Sequence, residues 1–242
     1  MSLFKLVLLS GFALIFHGLA EAQTVLNEED WLGLPLSINP GNDTMPPSDA
    51  IVLFNGERID EWLDANGQKP AWKVEHGILQ IVPGMGDIFS KRAFGDVQLH
   101  VEWMIPSENY GHGNSGIYLQ GRYEVQIFNS YKDASKIYYN GQTGSLYKQY
   151  SPLVNASRPR GQWDVFDIIF TAPRFDKNSK LVTPAMFTVV HNGILIQYNS
   201  ELKGTTTHEK TMHYEPHPLK QPLMIQDHGD TVFFRNIWIR EL

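Results

Sequence analysis

In the runs Val97-Gln98-Leu99-His100-Val101-Glu102-Trp103-Met104 and Tyr123-Glu124-Val125-Gln126-Ile127-Phe128, apolar residues alternate with polar ones. Such alternation predicts strands whose successive side chains point to opposite faces, with Val97, Leu99, Val101, Trp103, Tyr123, Val125 and Ile127 toward a core. The opposite faces then carry Gln98, His100, Glu102 and Met104 on one strand and Glu124, Gln126 and Phe128 on the other. A third run, residues 116–120, sets Tyr118 and Gln120 against Ile117 and Leu119, and Gln226-Asp227-His228-Gly229 closes another run with three polar side chains in a row. Carboxylates, amides and phenols gathered on one face suit a sugar, whose hydroxyls need planar polar partners while its C–H faces stack on rings. The carboxylates also offer proton transfer within hydrogen-bond reach of a bound molecule. The expectation is that Glu102, Glu124 and Gln126 share one concave face, with Tyr118 and Gln120 beside them. A plain antiparallel sheet with one wet side would alternate in the same way and hold no site.

The elements that must position these residues are strands. From Ile51 onward the chain is a series of short runs rich in Val, Ile, Phe, Tyr and Trp, broken by turn dipeptides, and no stretch is both long and periodic at 3.6. Residues 187–196 place two alternating arms around Asn192-Gly193, whose tolerance of positive φ predicts a type I′ hairpin. Residues 72–81 repeat that design with Gly77 at the turn. Further strands are expected at 97–105, 116–120, 123–128, 163–171, 223–226 and 232–240. Many short strands with Gly-rich turns predict an all-β, two-sheet sandwich forming one domain over residues 51–242.

Composition removes several classes of function. Twenty Lys and Arg against 26 Asp and Glu leave a formal charge of −6, so there is no cationic field for a polyanion and nucleic acid is not an expected partner. The absence of cysteine rules out disulfides, thiolate metal sites and thiol nucleophiles, so any metal must sit on His, Asp, Glu, Asn or Gln. With 42% hydrophobic and 19% charged residues the chain has the apolar content of a globular core. Near the start, Lys5 precedes an apolar run at residues 6–16, and Ala20-Glu21-Ala22 puts small residues at both positions of a signal peptidase site. Residues 1–22 therefore read as a secretory signal cleaved near Ala22. That run is shorter than the ~20 apolar residues that span a bilayer, so no membrane span is expected. The mature chain is expected to be secreted or periplasmic, and the lack of cysteine fits a periplasm. Residues 23–50 read as an N-terminal arm whose apolar patch, 31–36, docks on the domain surface.

A set of short motifs then occurs in order: Leu53-Phe54-Asn55-Gly56 with Trp62, Trp72-Lys73-Val74 with Gly77, Phe94-Gly95-Asp96 before Glu102-Trp103, and Asn114-Ser115-Gly116-Ile117. Tyr123-Glu124-Val125-Gln126, Thr143-Gly144 before Tyr147, Gly161-Gln162-Trp163, Asn192-Gly193, Gln226-Asp227-His228-Gly229 and Phe234-Arg235-Asn236-Ile237-Trp238 follow. Taken together they resemble the 3-keto-disaccharide hydrolase family, also described as 3-keto-glucoside 1,2-lyases and 3-keto-2-hydroxy-glucal hydratases. The resemblance covers residues 51–242 and implies a concanavalin A-like jelly-roll β-sandwich. It further implies a 3-keto-disaccharide or 3-keto-glucoside substrate, supplied by a functionally coupled sugar 3-dehydrogenase, and a divalent metal in the concave site. Glu102, Asn114, Glu124, Gln126 and His228 fall in motifs that resemble the family's site. Glu124, His228 and Glu102 are the expected catalytic groups or metal ligands, and Asn114, Gln126, Tyr118, Gln226, Asp227 and Arg235 the expected sugar-binding groups. Segments 173–184 and 205–217 depart from the family's shorter form, and such loops at a sandwich rim usually build or cover the pocket.

The implied chemistry suits these residue types. A C3 ketone acidifies the C2 proton, a base removes it, and the enediolate expels the C1 substituent; water then adds at C1 of the glucal. A base within reach contributes a factor of about a hundred to ten thousand. A cation beside the C2 hydroxyl and C3 ketone would act as a Lewis acid, with Ca²⁺, Mn²⁺ or Mg²⁺ ahead of Zn²⁺ for a Glu/Gln/His shell. Which of Glu102, Glu124 and His228 is base and which is ligand stays open. Two other readings stand beside this one: a retaining glycosidase using Glu102 and Glu124, and a non-catalytic carbohydrate-binding module. Arg235 can equally pair with a buried carboxylate, and Trp103, Trp163 and Trp238 read as core.

Overall fold

The structure, a computed structural model, describes residues 35–42, 45–108, 111–132, 139–208 and 211–242. The expected secretory signal and most of the apolar patch at 31–36 lie outside the described residues. The chain divides into a leading unit, Met1–Ser37, and a second unit, Ile38–Leu242, that contains every strand.

The strands are β1 (Ile51–Phe54), β2 (Trp62–Leu63), β3 (Lys73–Glu75), β4 (Ile78–Gln80), β5 (Ile88–Phe94), β6 (Val97–Met104), β7 (Ser115–Leu119) and β8 (Tyr123–Ile127). They continue as β9 (Asp164–Thr171), β10 (Arg174–Phe175), β11 (Leu181–Thr183), β12 (Met186–His191), β13 (Ile194–Glu201), β14 (Gln221–Ile225) and β15 (Phe233–Glu241). An eight-stranded sheet runs β13-β12-β9-β6-β15-β4-β3, with β1 also paired to β15, and a five-stranded sheet runs β2-β5-β14-β7-β8. Both are antiparallel at every described pairing.

Alternation explains how they stack. Leu99, Val101 and Trp103 of β6, Phe166 and Phe170 of β9, and Ile117, Tyr123, Val125 and Ile127 of β7 and β8 all enter one apolar cluster, so the inner faces of the two sheets share a core. Burying each such side chain stabilises the fold by about 1.5–3 kcal/mol. The result is an all-β, concanavalin A-like jelly-roll sandwich, as expected. Among the described residues no helix is long and apolar enough to cross a membrane.

The turns follow their residues. Asn192 and Gly193 sit at φ 52° and 81°, and His76 and Gly77 at 51° and 79°, the left-handed pairs that a type I′ hairpin requires. Asn192 also ties its hairpin to β9, since its Oδ1 accepts from Val165 N at 3.0 Å and its Nδ2 donates to Asp164 Oδ1 at 2.6 Å. Strands β1, β2 and β5 and the β10–β11 pair stand outside the expected set. Strand β5 is hidden in the sequence by Ser90-Lys91-Arg92; Ser90 is nonetheless buried, because its hydroxyl donates to Arg92 O and accepts from Leu223 N. Segment 173–184 is a β10–β11 hairpin rather than an open loop, its turn held by Asp176 Oδ1, which accepts from Asn178 N and Lys180 N. Phe175 of that hairpin packs edge-on against Tyr214 and His217, so the two lengthened segments meet each other.

Candidate functional site

The residues expected to share one face divide between two faces. Glu102 lies on β6, in the eight-stranded sheet, whereas Glu124 and Gln126 lie on β8, in the five-stranded sheet. Each points away from the core, as alternation requires, but the two sheets have opposite outer faces, so Glu102 and Glu124 stand on opposite sides of the sandwich. The expectation of a shared concave face is therefore overturned, and with it the trio Glu124, His228 and Glu102 as a single metal or catalytic set. The physical reason is that alternation decides which face of a strand a residue occupies, while pairing decides which sheet the strand joins. Strand β6 pairs with β9 and β15, and β8 with β7.

On the five-stranded sheet the outward residues form a compact polar cluster. Tyr118 of β7 is registered against Glu124 of β8 on one side and Met224 of β14 on the other, and Gly116 against Gln126. Gly116 supplies the space: a Cβ there would stand 2.5 Å from Glu124 Oε1 and 2.8 Å from the Tyr118 ring. Gln226 Nε2 donates to the Tyr118 hydroxyl at 3.3 Å. Burial pushes the Glu124 carboxyl up to about 8, and a hydrogen bond with Tyr118 keeps it from rising further. Burial, and then the neighbouring Glu124, raise Tyr118 well above the usual phenol range, so it remains a protonated donor.

Apart from Trp103 Nε1 and Ser157 Oγ, which lie together elsewhere, the buried polar atoms without partners belong to β8 and the segments around it. Glu124 Oε2, Gln126 Oε1 and Gln120 Oε1 are buried without a hydrogen bond, as are Ser145 Oγ and Thr205 Oγ1. The last two belong to segments that border β8: Ser145 O accepts from Gln126 N at 3.0 Å, and Thr206 Oγ1 accepts from Glu124 N at 3.1 Å. Buried acceptors are costly when unmet, so a cluster of them marks where a ligand's hydroxyls would be received. Tyr147 lies across from this cluster, its N donating to Glu124 O at 3.3 Å and its hydroxyl 3.3 Å from His208 Nδ1.

Asp87, Asp227, His228 and Asn114 stand at the rim. Asp227 is held by the backbone: its Oδ2 accepts from Gly86 N and its Oδ1 from Gly229 N, each at 2.9 Å, while its own N donates to Asp87 Oδ1 at 2.8 Å. It shapes the loop rather than offering a free ligand. Asp87, which the sequence reading missed, is raised by burial and lies near both His228 and Tyr118. Nothing local distinguishes it, because it becomes a neighbour only when β5 pairs with β14. His228 is exposed, and Asn114 is tied through its N to Asp230 Oδ2 at 2.9 Å. Among the described residues no group of three or more His, Asp or Glu side chains is arranged to hold a metal ion.

Glu102 has the opposite environment to Glu124. Arg235 Nε donates to its Oε2 at 2.6 Å, Asn236 Nδ2 donates to its Oε1 at 2.8 Å, and His100 Nε2 lies 3.7 Å from Oε1. Burial would raise this carboxyl, but His100, Asn236 and Arg235 outweigh it and hold it at about 2. Both oxygens are engaged and the group stays ionised, so it is a poor proton acceptor near neutrality. Arg235 thus takes the carboxylate-pairing role. Trp103 is core as expected, whereas Trp163 and Trp238 lie on this outer face, one beneath Arg235 and the other stacked on His100.

Comparisons with known proteins agree with this architecture. A model of the 3-keto-alpha-glucoside-1,2-lyase-like domain matches residues 49–240. A Parabacteroides distasonis protein solved as a candidate glycosyl hydrolase is 39% identical, with a TM-score of 0.84, and the match covers 97% of this chain and 100% of that one. Two further candidate glycosyl hydrolases from the same organism, at 19% and 17% identity, share the fold with TM-scores of 0.60 and 0.58; each match covers 80% of this chain, and 94% and 99% of theirs. No curated protein matches the chain.

Proposed function

The chain belongs to the 3-keto-alpha-glucoside-1,2-lyase-like domain family, and from that premise we propose that it cleaves 3-keto-glycosides at the outer face of the five-stranded sheet, with Glu124 as the base. The carrying observation is the buried Glu124 carboxyl, whose Oε2 has no partner and whose proton affinity is raised toward neutrality beside the Tyr118 hydroxyl. Glu124 takes the C2 proton and the ketone becomes an enediolate. The enediolate then collapses, re-forming the C3 ketone and making a C1–C2 double bond as the C1–O bond breaks with its pair on oxygen, which takes a proton from solvent water. Tyr118, kept protonated, hydrogen-bonds to a developing oxyanion. Gln126 Oε1 and Gln120 Oε1 accept from sugar hydroxyls. Water adds at C1 in the second half, and Glu124 returns its proton to C2. No step is routed through a metal. Export with cleavage near Ala22, and supply of the ketone by a sugar 3-dehydrogenase, belong to the same reading.

The test is incubation of the full chain with an α- and a β-glucoside and their 3-keto derivatives in deuterated water. Cleavage of a keto form with deuterium entering at C2 is expected. Glu124→Gln should lose activity by about a hundredfold or more while its circular dichroism is unchanged. Turnover of a plain glucoside at a comparable rate would replace this reading with an ordinary glycosidase, and binding without turnover would replace it with a binding module.

A further inference from the structure

The outer face of the eight-stranded sheet carries a second groove that the reaction has no use for. Two adjoining cavities of about 470 Å³ and about 510 Å³ meet over Glu102, Arg235 and Asn236, which line both. Each has the size of an ordinary small-ligand pocket, and together they make a trough across the sheet. One end is walled by Trp163, Trp238 and the chain before β1; the other by Val52, Phe54 and the turn at Gly77. The segment before β1 is fastened to the sheet by Asp49, whose carboxylate accepts from Arg240 at 2.7–3.0 Å.

The floor of the trough is built by a distortion. Phe234 and Ile237 are both fully buried although three residues apart, which a regular strand forbids, and the register with β6 shifts between Arg235 and Trp238. Asn236 takes φ 46°, a left-handed conformation that Asn tolerates better than most residues. This bulge turns the neighbours Arg235 and Asn236 to the same side, where both reach Glu102. Glu102 therefore acts as an anchor. Only the Nε of Arg235 is used by it, which leaves the terminal guanidinium nitrogens without a hydrogen bond, and the Asn236 amide gives its Nδ2 to Glu102, leaving its oxygen as an acceptor. The Arg235 guanidinium sits 4.1 Å from the Trp163 ring centre, and His100 stacks on Trp238 at 4.9 Å, so both indoles are held still where they line the trough.

Paired donors next to an acceptor, between fixed aromatic rings, match the vicinal hydroxyls and apolar C–H faces of a sugar chain. The charge state narrows the class. Arg235 is balanced by Glu102 and His100 by Asp167 at 2.7 Å, so the centre of the floor has no unpaired charge to attract a uronate. Arg158, which lines the Trp163 end without an ion pair among the described residues, gives its Nη1 to Trp163 O at 2.6 Å. We propose that this trough is a second carbohydrate site that binds a neutral oligosaccharide on the side of the sandwich opposite Glu124, with Arg235, Asn236, Trp163 and Trp238 as its contacts. It goes beyond the reaction and holds glycan near the enzyme.

The test uses full-length Glu124→Gln protein, so that the reaction site is silent, titrated with neutral α-1,4- and β-1,4-linked glucose hexamers and with hexagalacturonate, and read by calorimetry and tryptophan fluorescence. Binding of at least one neutral hexamer is expected, with a fluorescence change, and weakening by about tenfold or more when Trp163→Ala is added. Arg235→Lys, which keeps the charge opposite Glu102 but loses the planar fork, should weaken it also and serves if Trp163→Ala lowers the melting temperature. No binding of either neutral hexamer, undiminished binding in the folded variants, or preference for hexagalacturonate would each overturn the proposal.

Discussion

The pH dependence of the reaction follows from the Glu124 carboxyl, which burial raises to about 8. A base must be deprotonated, so kcat/KM should climb as pH rises through about 8 and level off above it. Tyr118→Phe removes the hydrogen bond that lowers Glu124, so the climb should move to higher pH and its plateau should fall. A profile with no such limb would remove Glu124 as the base. Glu102 obeys the reverse logic. Its folded value of about 2 lies below the ordinary 4.5, so its stabilisation is complete above 4.5 and is lost as pH falls through 2. His100, although burial alone would lower it, is raised from 6.5 to about 9 by Asp167 and Glu102, so its stabilisation is complete below 6.5 and is lost as pH rises through 9. The cluster as a whole therefore contributes most between 4.5 and 6.5. Glu102→Gln should lower stability in that window by about 2 kcal/mol and flatten the acid limb, as read by denaturant midpoints between about pH 3 and pH 6.

At the scale of the element, β7 and β8 work as one unit because Gly116 has no side chain. Its missing Cβ is where Glu124 Oε1 and the Tyr118 ring lie, and its backbone needs no unusual φ, so Gly116→Ala tests placement alone. The added methyl would overlap both the Glu124 carboxylate and the Tyr118 ring, so it should displace the pair and lower kcat by about a hundredfold. Full activity in that variant would mean that Glu124 acts from another position. The strands themselves were largely readable, since Val97, Leu99, Val101 and Trp103, or Tyr123, Val125 and Ile127, announce their inner faces by period alone. The bulge in β15 also has a sequence signal, since the odd spacing of Phe234 and Ile237 breaks the period inside Phe234-Arg235-Asn236-Ile237, within the strand expected at 232–240. Strand β5 was not readable, because Ser90 is buried through hydrogen bonds made to Arg92 and Leu223 rather than through an apolar side chain.

Across the molecule, a sandwich has two outer faces, and this chain places a raised, partly unpartnered carboxyl on one and a saturated, ionised carboxylate on the other. The domain that builds both begins its first strand at Ile51, so the expected leader is not needed to assemble either. Chain expressed in an exporting host should therefore have an N-terminus at Gln23 or within a few residues of it by mass spectrometry, and should cleave 3-keto-glucosides as the full chain does; uncleaved protein held in the cytoplasm would refute the export reading. By itself the sequence determined the all-β class, most strands, the I′ hairpins and the family, and it showed that Glu102, Glu124 and Gln126 all point away from a core. These are local properties, written in side-chain period and turn residues. Only the tertiary structure decided that Glu102 and Glu124 occupy different sheets, that Asp87 lies near Tyr118, and that Arg235 closes on Glu102 from 133 residues away. Those facts depend on which distant strands pair, and the alternation within a single strand is the same whichever sheet it joins.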